Sequence, residues 1–164
     1  MYQVGDRIVY PMHGAGVIEA IEEKTILGEK KNYYIVRIPL GNMKVLVPID
    51  NCDEIGIRDV ICRDDADKVI ESFEVFDDEV TNNWNKRYRE NMEKLRSGNI
   101  FDIAGVVNSL MCRDREKGLS TGERKMLSSA KQILLSELVL AKGTDEDSIE
   151  KMINTNLNKN HELS

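Results

Sequence analysis

Residues 7–48 read RIVYPMHGAGVIEAIEEKTILGEKKNYYIVRIPLGNMKVLVP. Valine, isoleucine and tyrosine recur in short runs with polar residues between them, the pattern of half-buried strands. Strands are predicted at residues 7–10, 16–25, 33–38 and 43–48. Turn chemistry separates them: residues 11–16, the 27–32 stretch with Gly28, and Leu40-Gly41-Asn42-Met43, whose Gly-Asn pair suits a tight hairpin. A short last strand is expected at residues 54–57. Four or five short strands in succession suggest a small curled sheet or barrel of the SH3 or Tudor type, with at least one open edge.

Past Arg58 the apolar period changes from 2 to 3.6. Asp64 or Asp65 is read as the cap of a short helix reaching Phe73. Residues 77–79 read as an acidic connection. Thr81 or Asn82 is read as the cap of a second helix that ends at Gly98, with Trp84, Tyr88, Met92 and Leu95 along one stripe. A third helix is predicted over residues 100–117, with Ile103, Val106, Val107, Leu110 and Met111 on one face and Gly118 at its C-terminal end. Ser120-x-x-Glu123 is a capping box. It opens a long fourth helix that carries Leu127, Ala130, Ile133, Leu134 and Leu138 and stops near Gly143. Thr144-x-x-Asp147 opens a fifth helix ending near Leu157. The fold class is therefore α+β, a small Tudor/SH3-like β-barrel followed by a compact domain of about five helices. The boundary is placed between residues 1–60 and 61–164, with 158–164 as a frayed tail. Each half is near the lower size limit for its own core, an arrangement suited to bridging two partners.

Composition narrows the function. The chain has 164 residues, 41% hydrophobic and 32% charged, which is globular rather than disordered. No apolar run approaches the ~20 residues needed to cross a bilayer, and no secretory signal is visible, so no membrane partner is expected. Cys52, Cys62 and Cys112 are widely spaced and the histidines are His13 and His161, a set that suits neither a disulfide framework nor a zinc site. A reducing cytoplasm fits best. The net charge of -6 disfavours a simple DNA-coating protein. The charge is uneven, however. Residues 81–142 hold 12 basic and 7 acidic side chains, between acidic blocks on both sides. A polyanion at close range feels that local field, because salt screens beyond about 8–10 Å.

His13-Gly14-Ala15-Gly16 follows a strand and superficially suggests a phosphate loop, but it lacks a third glycine and a following helix and reads as a tight turn. His13 has no nucleophile or carboxylate at catalytic spacing. Asp64-Asp65-x-Asp67 lacks the glycine and closing glutamate of a calcium loop. No serine sits in G-x-S-x-G. An enzyme is poorly supported and no cofactor is expected. Trp84, the sole tryptophan, sits in a helical first turn among Lys86, Arg87 and Arg89. It reads either as a core anchor or as a ring that stacks on or wedges between bases while the cations hold phosphates. Arg113, Arg115 and Lys117, with Arg124 and Lys125 across a short turn, form either a shared basic patch or a solvated corner whose charges pair with Asp114, Glu116 and Glu123.

These residues resemble the CarD/CdnL family of bacterial transcription factors. The N-terminal matches are Val4-Gly5-Asp6, Val9-Tyr10-Pro11-x-His13-Gly14-x-Gly16 and Val47-Pro48. In the C-terminal half they are Trp84-x-x-Arg87-Tyr88, Asn91-x-Glu93-Lys94-Leu95-x-Ser97-Gly98 and Ala130-x-Gln132-Ile133-Leu134-x-x-Glu137-Leu138. Most specific is Arg113-Asp114-x-Glu116-x-Gly118-Leu119-Ser120-x-Gly122-Glu123. The resemblance covers roughly residues 1–142. The N-terminal half is also similar to the polymerase-binding module of the transcription-repair coupling factor.

The resemblance implies a Tudor-like domain that binds the β subunit of bacterial RNA polymerase. It implies a helical domain that touches promoter DNA at the upstream edge of the melted bubble, without strong sequence reading. The outcome is a longer-lived open complex with no catalysis by the factor. Matched by position, Trp84 is the wedge, and Lys86, Arg89, Arg113 and Arg124 are backbone contacts. The basic patch adds Arg87 and Lys125. Lys24, Thr25, Ile26, Val45 and Leu46 fall on the polymerase-facing surface. Some members carry arginine where this chain has Leu46, and Lys24 likewise replaces an arginine, keeping the charge without the planar fork. The implied protein is cytoplasmic, reaching the nucleoid through polymerase. It works as a monomer, and its long second hairpin would permit a swapped dimer. The competing reading is an adaptor that docks a partner through the barrel and has no DNA role.

Overall fold

In a computed structural model, residues 1–75 and 83–162 are described. Five strands come first: β1 (Arg7–Tyr10), β2 (Gly14–Ile26), β3 (Glu29–Ile38), β4 (Met43–Pro48) and β5 (Arg58–Asp59). They form one antiparallel sheet in the order β4-β3-β2-β1-β5. The sheet coils around Ile8, Ile18, Tyr34, Val36, Ile38 and Val47 but does not close. Among the described residues β4 and β5 are its two edges, so the barrel expectation is corrected to an open sheet. A bulge between Ile18 and Ala20, at Glu19, shifts the β2–β3 register by one and supplies part of the coiling.

The β2–β3 hairpin is longer than the sequence suggests. Residues 29–32, expected in a turn, are strand, and only Leu27 and Gly28 connect. Both have positive φ (53° and 81°), the backbone of a two-residue turn whose twist matches the strands it joins. Lys24 faces Lys31 across this arm, and each is paired with a carboxylate two residues back on its own strand, Glu22 at 3.6 Å and Glu29 at 3.5 Å. A polar ladder with water on both faces has no hydrophobic alternation to betray it.

The last strand is also displaced. Residues 52–55 form a helical turn, α1 (Cys52–Ile55), which Gly56 ends in the left-handed region (φ 88°). The chain then pairs with β1 four residues later than expected, Val9 opposite Arg58.

The helices are α2 (Arg63–Glu71), α3 (Trp84–Arg96), α4 (Ile100–Glu116), α5 (Thr121–Lys142) and α6 (Glu146–Glu162). Four caps are set by side chains: Asn83, Asn99, Ser120 and Asp145, whose Oδ1 accepts from the Ser148 amide at 2.8 Å. Ser120 was expected. Thr81 and Asn82 lie outside the described residues, as does the 77–79 connection, and the cap of α3 falls on Asn83. The cap of α6 is Asp145 rather than Thr144, and the helix runs five residues past Leu157. α2 begins one residue before Asp64, so Asp64 and Asp65 sit in its first turn, where they suit the helix dipole but do not cap. A single core joins Phe73, Leu110, Leu134, Leu138, Ile149 and Ile153, all fully buried.

Sheet and helices meet along α5. The Ala15 amide donates to Ser136 Oγ at 2.8 Å, and a Cβ on Gly14 would lie 2.8 Å from that same oxygen. A Cβ on Gly16 would lie 2.5 Å from the Arg37 carbonyl. The glycines after His13 thus permit close packing and have no phosphate-binding geometry. Arg58 reaches Glu137 with two 2.7 Å bonds and donates from Nε to the Gly98 carbonyl at 3.0 Å. Glu137 also accepts from the Ile61 amide at 3.0 Å. Arg7 donates to the Leu140 carbonyl, and Lys142 pairs with Asp67.

Candidate nucleic-acid interface

The start of α3, the end of α4 and the start of α5 converge on one corner, where the sequence places its basic residues. α3 and α5 are tied there by two polar contacts. Arg87 donates to Glu123 from Nε at 2.9 Å and from Nη2 at 3.2 Å. Three residues earlier on each helix, Trp84 Nε1 donates to Ser120 Oγ at 3.0 Å. Ser120 Oγ in turn accepts from the Glu123 amide and donates to Glu123 Oε1, each at 3.2 Å. One donor and two acceptor directions are all that a hydroxyl has, and all are engaged.

Trp84 is neither a core anchor nor a free ring. It is 43% exposed. Its ring stacks on Tyr88 with centroids 5.3 Å apart and planes 25° from parallel, a favourable offset arrangement. Both rings lie over the start of α5, where a Cβ on Gly122 would come within 3.6 Å of Trp84 and 3.7 Å of Tyr88.

On the same two helix starts Lys86, Arg89, Arg124 and Lys125 are exposed. Arg87 is not: only 7% exposed and bonded to Glu123, it is withdrawn from any DNA-facing surface. The sequence grouped it with its neighbours because three cations within four residues look alike. On a helix, position 87 points a different way from 86 and 89. Arg113 is intermediate, with its side chain 22% exposed and its Nε 4.0 Å from Glu123. That Nε is buried without a hydrogen-bond partner.

Glu123 itself is almost fully buried. Burial alone would raise its carboxyl pKa, but hydrogen bonding and charge from Arg87, the Ser120 hydroxyl and the charge of Arg113 together hold it below the usual carboxylate range. The sequence reading placed Glu123 among the basic residues of this corner, and Ser120 only as a cap. The capping box was visible, but the partner that Glu123 faces across the helix pair was not.

The residues assigned to a polymerase surface do not form one spot. Thr25 and Ile26 are exposed near the end of the β2–β3 arm, and Lys24 is half-buried beside Glu22. Leu46 projects outward from edge strand β4, opposite Ile35. Along β3 this is four residues, about 13 Å, from the position that faces Lys24. The Val45 side chain is part-buried against the small sheet core.

Residues 2–61 match the CarD-like/TRCF RID domain, and residues 68–154 match the CarD C-terminal domain. The chain is 41% identical over 150 residues to YdeB of Bacillus subtilis (strain 168), a protein named as a transcription factor. That alignment covers 92% of this chain and 98% of YdeB. No described helix is long and apolar enough to cross a membrane.

Proposed function

Since the chain belongs to the CarD-like family of transcription factors, we propose that it docks on the β subunit of RNA polymerase and prolongs the open promoter complex by contacting DNA at the upstream fork of the bubble. The division of labour follows the two family matches: residues 1–60 hold the polymerase and residues 61–164 reach the DNA. The observation that carries the reading is Trp84, a part-exposed, oriented ring at the joined starts of α3 and α5, which carry four exposed cations.

Each half has a suitable physical device. An open sheet edge pairs with a partner strand through main-chain hydrogen bonds, which tolerate side-chain change at Leu46 and Lys24. Net charge -6 makes independent DNA binding weak, but docking on polymerase raises the effective concentration of the basic corner near DNA. The single donor of the indole is engaged by Ser120, so Trp84 offers a π-face and an edge but no hydrogen bond to a base. That suits a contact which favours a distorted step over a particular sequence. Stacking of a base on an aromatic ring is worth about 1–3 kcal/mol, and about 1.4 kcal/mol is tenfold in an equilibrium. One ring is therefore sufficient. The factor acts as a single copy on polymerase in the cytoplasm.

The Arg124→Glu, Lys125→Glu double variant tests the DNA half. Both residues are exposed and, among the described residues, neither takes part in an ion pair, so the fold is retained. Polymerase binding is expected to be unchanged, while the lifetime of the open complex falls toward that of polymerase alone. An unchanged lifetime would favour the adaptor reading.

A further inference from the structure

Two contacts join α3 to α5 at matching intervals, Trp84 to Ser120 and Arg87 to Glu123, three positions apart on each helix. The second fixes how α3 is rotated against α5, because a two-point guanidinium–carboxylate contact resists rolling. The first fixes the ring itself. The two are connected, since Ser120 Oγ donates to Glu123 Oε1 and Arg87 Nη2 donates to that same oxygen.

We infer that Ser120 and Glu123 are positioning residues that set the orientation of Trp84 before DNA arrives. The inference rests on the wedge reading for its use, though not for its geometry. A half-exposed ring on one surface helix would otherwise sample several rotamers, and ordering it on binding would weaken the contact. Here the indole nitrogen is held by a hydroxyl with no spare hydrogen-bonding capacity, on a helix end fixed by a buried carboxylate. Tyr88 covers one ring face and Gly122 leaves room beneath both rings. Neither Ser120 nor Glu123 need touch DNA.

The chain has one tryptophan, so fluorescence excited at the red edge of its absorption, where the tyrosines do not absorb, reports on this ring alone. Ser120→Gly removes the hydroxyl while retaining a residue tolerated at a helix N-cap, and Ser120→Thr restores a hydroxyl. Far-UV circular dichroism confirms folding of both full-length variants. In Ser120→Gly, acrylamide quenching of Trp84 is expected to rise about twofold, and a fast local component to appear in its anisotropy decay. The open-complex lifetime gain should fall several-fold with polymerase binding intact. Ser120→Thr should return all three toward wild type. Wild-type quenching and anisotropy in Ser120→Gly would overturn the inference. So would a loosened ring with an unchanged lifetime where Trp84→Ala shortens it. If Trp84→Ala itself leaves the lifetime unchanged while Ser120→Gly loosens the ring, the wedge reading fails and the tether stands.

Discussion

Arg58→Ala is expected to destabilise the protein by about 3 kcal/mol, toward the low end for a broken buried ion pair because Arg58 is itself partly exposed. The cost arises at its partner. Glu137 is 1% exposed and holds three hydrogen bonds, two from Arg58 and one from the Ile61 amide. Without the guanidinium a charged carboxylate stays in the interior with one amide for company, and such a group costs far more than the pair contributed. The contact with the Gly98 carbonyl goes too, so sheet and helices lose a tie at the same point. Urea denaturation of the full chain measures this as a lower midpoint at unchanged slope. A loss under about 1 kcal/mol would mean that water satisfies Glu137 and that the junction rests on other contacts, such as Ala15 with Ser136.

Arg87→Ala is expected to cost about 3–5 kcal/mol at pH 7, since both partners of this pair are buried. Arg113, at 4.0 Å and without a hydrogen bond to Glu123, cannot replace a two-point contact. The pH dependence separates this from simple loss of packing. In the wild type the folded pKa of Glu123 lies below its unfolded value near 4.3. Its contribution is therefore present above that value and lost as pH falls through the lower folded one. Removal of Arg87 leaves burial as the dominant influence and pushes the folded pKa up, so the variant is penalised at neutral pH and recovers when Glu123 takes a proton. The stability gap should narrow between pH 7 and about pH 4. A gap independent of pH would show that Arg87 acts through its hydrocarbon stem, not its charge.

Much of this architecture was legible in the chain. The change of period after Arg58 separated sheet from helices because side chains alternate in a strand and stripe a helix, and both patterns survive any detail of packing. Ser120-x-x-Glu123 marked the start of α5, and the glycines at 118 and 143 marked helix ends. What failed had no local pattern. Residues 29–32 are strand only because residues 23–26 lie opposite, and residues 52–55 are a helical turn although the sequence allowed a strand. The site divided in the same way. Trp84, Lys86 and Arg89 were read as a ring among cations and Arg124 and Lys125 as part of a second basic group, and all five are exposed. Arg87 was read as a surface cation, and Glu123 as a cap and a possible partner of the second basic group, because the Arg87–Glu123 pairing exists only when α3 packs against α5. A buried arginine and a surface arginine are the same letter, and only the partner across the helix pair tells them apart.

The central claim is that the Trp84 ring prolongs the open complex. The direct measurement is the lifetime of that complex under competitor challenge, on a promoter with an unstable bubble, with polymerase from the same organism and either the wild type or Trp84→Ala. The account predicts a longer lifetime with wild type and loss of roughly tenfold of that gain in the variant, the equivalent of about 1.4 kcal/mol of stacking. Polymerase binding and the melting midpoint should change little, because the ring is nearly half exposed. An equal lifetime with both proteins, at equal polymerase occupancy, would contradict it.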